Sequence, residues 1–217
     1  MTRLYILPTL LALATTFGAH AADPALDQTI ADVGHRWATI YYQTPDKQKD
    51  AAYDELITQV QQLAHDHPKD AEPIVWQAIV LSSAAKIEGG LSALHKAKEA
   101  RELLVSAEAI DPTVMNGSIY ASLGSLYAKV PGWPLGFGDK KQAKVYFEKA
   151  LAIDPHSIDT NYFYADYLAD TGDYAKSVEY LQRALAAPPR PGREDADAGR
   201  RQEVQALLDT VKKKAAS

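Results

Sequence analysis

Apolar residues recur every three or four positions along most of this chain, in blocks that end at prolines and turn residues. That spacing lays them along one face of a helix. One block runs from Leu26 to Tyr42, a second from Ala51 to His65 with Pro68 behind it, and a third from Pro73 to Ala85. Further on, small and large residues sit at fixed distances. Ala100-x3-Leu104-x2-Ala107 precedes Pro112, Ala143-x3-Phe147-x2-Ala150 precedes Pro155, and Ser177-x3-Leu181-x2-Ala184 precedes Pro189. Each proline stops its helix, because it has no amide hydrogen to donate and cannot continue the turn. Pro155 and Pro189 are 34 residues apart. A fixed period of that size predicts a stack of helical hairpins.

Within the unit 113–155, Gly124, Ala143 and Ala150 are small enough to let two antiparallel helices approach, and Leu123, Tyr127 and Phe147 fill the space around them. The next unit, 156–189, follows with Tyr164-Ala165-x2-Leu168 and the turn Thr171-Gly172-Asp173-Tyr174. These motifs resemble the tetratricopeptide repeat (TPR), with Tyr120 where that family usually has Trp and Ser177 where it prefers Ala. The resemblance implies an all-α, right-handed TPR-type solenoid of helical hairpins. Earlier units span 22–68, a TPR-like hairpin weak in sequence, and 69–112. In the latter the register is open. Ala78 is the small contact residue with Trp76 outside the pattern, or Trp76 takes the family's aromatic place. Residues 190–217 read as a capping helix and tail. Pro188 to Arg193 cannot be helical, after which Asp195 and Asp197 lead a helix with Val204, Leu207, Leu208 and Val211 on one face and Lys212 to Lys214 at its end.

The first 21 residues have the layout of an export signal: Arg3, an apolar stretch from Leu4 to Phe17, and Ala19-His20-Ala21 as a small-x-small cleavage site. Cleavage after Ala21 and a periplasmic location are expected. The chain has no Cys, which excludes disulfides, thiol catalysis and a lipoprotein anchor. The formal charge is -5, and loss of Arg3 with the leader makes it -6. So mild an acidic balance leaves no footprint for nucleic acid or an anionic membrane.

Two units exceed the repeat length. In 113–155 the excess lies between the helices, in Lys129-Val-Pro-Gly-Trp-Pro-Leu-Gly-Phe-Gly-Asp139; in 69–112 the matching stretch is Lys86 to His95. Equivalent turns of neighbouring repeats share an edge, so the two insertions are expected to touch, and insertions on one face often mark the binding face. Trp133, Leu135, Phe137 and Asp139 are therefore candidate partner- or ligand-binding residues. Two readings stay open: the apolar side chains fold back onto Tyr162, Phe163 and Tyr164, or they form a patch for something else. Asp159, Tyr162 and Asp166, with Ser118, Ala121 and Ser125, are expected on the inner face. That surface is acidic or neutral and suits a basic or apolar segment. Tyr162, Asp166 and Arg193 complete the candidate set. Arg190, Arg193, Arg200 and Arg201 are either a solvated basic face or an anion site.

Nothing in the sequence supports an enzyme, a cofactor or a metal. His65-x-His67 has no third ligand nearby in sequence, and Gly136-Phe-Gly138 follows no strand and precedes no Gly-Lys-Ser/Thr. The serines lack a nucleophile-elbow motif, and His35, His95 and His156 have no motif around them.

Leu123-Gly124-x2-Tyr127, Val130 to Asp139 and Asn161-Tyr-Phe-Tyr164 resemble exported TPR proteins of Gram-negative bacteria. They are also loosely similar to the TPR component associated with periplasmic TRAP-type solute transporters, although this chain lacks the lipoprotein Cys of such components. That resemblance implies a pocket or pore for a small organic ligand and a homo-oligomer. Two functions follow: a periplasmic scaffold or adaptor that binds a protein or peptide, or a ligand-binding accessory of a solute transporter. The second predicts an apolar pocket around Trp133 and Phe137.

Overall fold

The computed structural model describes residues 23–215; the export-signal reading falls on residues outside them. Those residues form an all-helical solenoid. The helices are α1 (Pro24–Tyr42), α2 (Asp46–Asp66), α3 (Ala71–Glu88), α4 (Gly90–Ile110), α5 (Ser118–Lys129), α6 (Lys140–Ile153), α7 (Ile158–Asp170), α8 (Tyr174–Leu185) and α9 (Glu194–Ala215). No helix among the described residues is long and apolar enough to cross a membrane.

Small residues decide how closely the helices meet. In the α5–α6 hairpin, a Cβ added at Gly124 would stand 2.7 Å from the Phe147 ring. Ala143 and Ala150 are fully buried opposite. In the α7–α8 hairpin Ser177 is also fully buried, and its hydroxyl donates to the Ala165 carbonyl at 2.8 Å. A serine is tolerated there because its one polar group is satisfied across the hairpin.

The long unit 69–112 differs from expectation. Lys86 to His95 is not a loop, because α3 continues to Glu88 and α4 starts at Gly90. The extra residues lengthen both helices. Gly89 and Gly90, at φ 69° and 66°, make the reversal in left-handed backbone that other residues avoid. Glu88 holds the turn by accepting from Ser92 Oγ at 2.6 Å and Lys96 Nζ at 2.5 Å. The α3 helix is apolar nearly all round and buried along most of its length, as a helix enclosed on all sides must be. Trp76 and Ala78 are both buried.

Helices of odd number form an inner layer and those of even number lie outside it, apart from the start of α4. Along the inner layer α1 touches α3, α3 touches α5, α5 touches α7 and α7 touches α9. The series then closes, because α9 packs against α1. An ordinary repeat stack has two free ends; here the cap joins them into a ring. At the seam the Tyr42 ring lies over Gly199, where an added Cβ would be 2.3 Å from Tyr42 Cγ. His35 Nδ1 is 2.9 Å from Asp195 Oδ2, and the Tyr41 hydroxyl donates to Glu203 at 3.2 Å. On its other side α9 covers α8 with Val204, Leu208 and Val211 over Leu181 and Ala184.

Candidate functional site: a cavity inside the ring

Closing the ring leaves a cavity of about 870 Å³ that opens to solvent on one side. Its walls are Trp37 and Tyr41 from α1, Trp76, Ile79 and Ser83 from α3, Leu91 and Leu94 from α4, and Ser118, Ala121, Ser122 and Ser125 from α5. Asp159, Tyr162, Phe163 and Asp166 come from α7, and Arg190, Arg193 and Arg200 from the approach to α9 and from α9 itself. Between α4 and α5 the chain makes a short 3-10 turn, Val114–Gly117, with Met115 and Asn116 in left-handed backbone at φ 53° and 51°. Each such residue costs roughly 1 kcal/mol; Met115 lines the cavity.

The six inner-face positions expected from the sequence, Asp159, Tyr162, Asp166, Ser118, Ala121 and Ser125, all line this cavity. Their expected charge does not hold. Asp159 accepts from Arg190 Nη1 at 2.8 Å and Arg200 Nε at 2.6 Å. Burial alone would raise its carboxyl, but Arg200 and Arg190 outweigh it and hold the group well below the usual carboxylate range. Asp166 Oδ2 is 2.7 Å from Lys129 Nζ, which also meets Asp170 at 2.5 Å. Burial disfavours the Lys129 charge, yet the two carboxylates raise its affinity for the proton overall. The cavity carries five cationic side chains, Lys86, Lys129, Arg190, Arg193 and Arg200, against two carboxylates.

The arginines are not a solvated basic face. Arg200 is 3% exposed, pairs with Glu203 as well as Asp159, and lies 4.7 Å and 4.6 Å from the ring centres of Tyr162 and Phe163. Burial pushes the Tyr162 phenol well above its ordinary value, so it remains a neutral hydroxyl. Arg190 binds Asp197 besides Asp159. Arg201 turns outward from this group and caps α8, donating to the carbonyls of Leu185 and Ala187.

The inter-helix loop forms one rim. Val130, Pro131 and Leu135 face the cavity, whereas Trp133, Phe137 and Asp139 do not. Trp133 is 90% exposed and Leu135 71%. Phe137 turns inward, edge-on to Tyr127 with ring centres 5.3 Å apart and the Arg101 guanidinium 4.5 Å above it. Asp139 caps α6, accepting from the amides of Lys141 and Gln142. The apolar pocket therefore lies inside the loop, not around Trp133 and Phe137. Val130, Pro131 and Leu135 share the cavity with Tyr162 and Phe163. The loop meets α4, where an added Cβ at Gly136 would lie 3.3 Å from Leu94. The two long regions thus touch, as their shared edge requires.

Trp37, Tyr41 and Met115 escape the sequence reading, because they face the cavity only once distant helices have met. A signal for the arginines is present: an Asp159-Tyr162-Asp166 stripe facing inward demands buried cations.

The family described as "TRAP transporter T-component" matches residues 32–214. No curated protein matches the chain. Among solved structures, TTC0263, a thermophilic TPR protein of Thermus thermophilus, is 14% identical with a TM-score of 0.46, over 85% of this chain and 98% of that one. PilF of Pseudomonas aeruginosa is 15% identical with a TM-score of 0.35, over 85% and 90%.

Proposed function

Because the chain belongs to the TRAP transporter T-component family, we propose that it works beside a solute transporter as a non-catalytic helical adaptor whose central cavity holds a small organic molecule. The cavity carries this reading. Its size falls within the range of small-molecule sites, and it combines aromatic and aliphatic walls with a few converging polar groups. The family and the leader-like first 21 residues support a periplasmic setting.

Native mass spectrometry of protein taken gently from its own periplasm tests the proposal. Wild type carries an extra small mass, and Ala121→Trp, which projects an indole into the cavity, loses it. Bare protein in both samples would contradict it.

A separate observation favours a protein or peptide partner as well. Trp133, Leu135 and Leu91 stand in solvent on the cavity rim at 90%, 71% and 87% exposure, and such side chains are costly to leave uncovered. The partner docked there is another component of the transporter or a second copy of this chain. Cross-linking and light scattering of wild type and Trp133→Ala decide it. Unchanged cross-links and mass would remove this second role.

A further inference from the structure

Four of the five cavity cations are satisfied by carboxylates. Arg200 meets Asp159 and Glu203, Arg190 meets Asp159 and Asp197, and Lys129 meets Asp166 and Asp170. Lys86 donates to the Tyr41 hydroxyl and reaches Glu203 at 3.9 Å. Arg193 is different. Among the described residues it makes no ion pair, and its Nε is buried without a hydrogen-bond partner. Its guanidinium lies 5.0 Å from the Trp76 ring centre, and Trp76 is itself buried and packed edge-on to Trp37 at 6.3 Å. Stacking fixes the plane of the guanidinium while leaving its edge, with a fork of N–H donors, free of any protein carboxylate.

Arg193 is partly buried, and the more distant carboxylates of Asp159, Asp197 and Asp195 offset the cost only in part. Burial, then the neighbouring Arg190 charge, weakens its hold on the proton. It stays a cation nonetheless, since free Arg titrates above about 12. A partly buried, oriented charge without an ion-pair partner costs free energy that an incoming counter-ion recovers. Building on the proposal that the cavity holds a small organic molecule, we infer that this molecule is an anion and that Arg193 receives its charged end. A carboxylate or sulfonate of matching planar or tripodal geometry accepts from the guanidinium edge. Its apolar body lies toward Leu94, Leu135 and the small α5 face at Ala121. Asp159 and Asp166 do not repel it, because Arg190, Arg200 and Lys129 already neutralise them.

Two fluorescent probes of nearly equal apolar bulk separate the parts of this account: the anion anilinonaphthalene sulfonate and the uncharged phenylnaphthylamine. Both are titrated into wild type, Arg193→Gln, Arg193→Lys and the cavity-filling Ala121→Trp. Both bind wild type saturably and both are lost in Ala121→Trp. Arg193→Gln weakens the sulfonate at least about tenfold, as expected for one charge-assisted contact, while the neutral probe changes less than about twofold and so reports an intact cavity. Arg193→Lys keeps the charge but not the fork, and falls between. If both probes bind in the cavity and the sulfonate ignores Arg193→Gln, the anion inference fails and the cavity reading stands. If both probes weaken equally in Arg193→Gln, Arg193 is merely part of the wall and the inference again fails. If neither probe responds to Ala121→Trp, both readings fall.

Discussion

Gly199 shows how little room the ring leaves at its seam. An added Cβ would lie 2.3 Å from Tyr42 Cγ, so Gly199→Ala must push α9 away from α1. We expect a loss of about 1–3 kcal/mol, read by thermal or denaturant unfolding; an unchanged stability would mean that the two helices do not meet. Asp159 is the corresponding electrostatic keystone. Removing its charge leaves Arg200, which is 3% exposed, with one carboxylate partner instead of two. Asp159→Asn should cost about 3 kcal/mol at neutral pH. The pH dependence follows from the sign of its shift. Arg200 and Arg190 hold the folded-state carboxyl low, so its contribution is whole above the ordinary carboxylate value near 4. It is lost as pH falls below that toward the folded value. Acidification from about pH 5 to about pH 3 should therefore destabilise wild type more than Asp159→Asn, with the gap between them narrowing. A constant gap would contradict this assignment.

At the scale of elements, the loop 130–139 divides into parts with different work. Phe137 packs against Tyr127 beneath Arg101, and Phe137→Ala should cost about 3 kcal/mol. Asp139→Ala, which removes the α6 cap, should cost about 1 kcal/mol. Trp133→Ala should change stability by less than about 0.5 kcal/mol, as expected of an exposed side chain. Denaturant unfolding of the three variants tests the order; a Trp133 effect as large as that of Phe137 would overturn it. The sequence marks this loop as more than a flexible linker, since it packs two prolines, three glycines and four large apolar residues into ten positions. It cannot say which apolar residue faces inward, because that depends on α4 beside it. The long unit departs from its sequence reading for a related reason. Gly89-Gly90 reads as part of a loop, yet a reversal needs only those two residues once Glu88, Ser92 and Lys96 close the turn. By contrast, the α5–α8 packing is legible residue by residue, because Gly124, Ala143, Ala150 and Ser177 act through local, periodic contacts.

For the whole molecule, closure matters more than repetition. In an open solenoid each repeat depends on its neighbours, and the two ends do not sense one another. Here α9 touches α1, so the ends are coupled. Truncation after Ala187 should remove hydrogen-exchange protection from α1 as well as from α8, although more than a hundred residues of sequence separate α1 from the cut. Protection of α1 that survived truncation would show an open stack. The same closure explains why the cavity is hidden in the sequence. Its parts are visible, with Asp159, Tyr162, Asp166 and Ser125 all on inner faces. Its charge is left undecided, because Arg190, Arg193 and Arg200 belong to the cap and read as a solvated face or an anion site until the ring turns them inward.

The proposed occupant of the cavity within the ring is a small organic anion. A crystal structure of the protein isolated without denaturation from its own periplasm tests it most directly. Connected density within the ring that is not water is expected, with its charged end in hydrogen-bonding reach of the Arg193 guanidinium. A cavity filled by inward collapse of Leu94 and Leu135, or density that leaves Arg193 untouched, would contradict it.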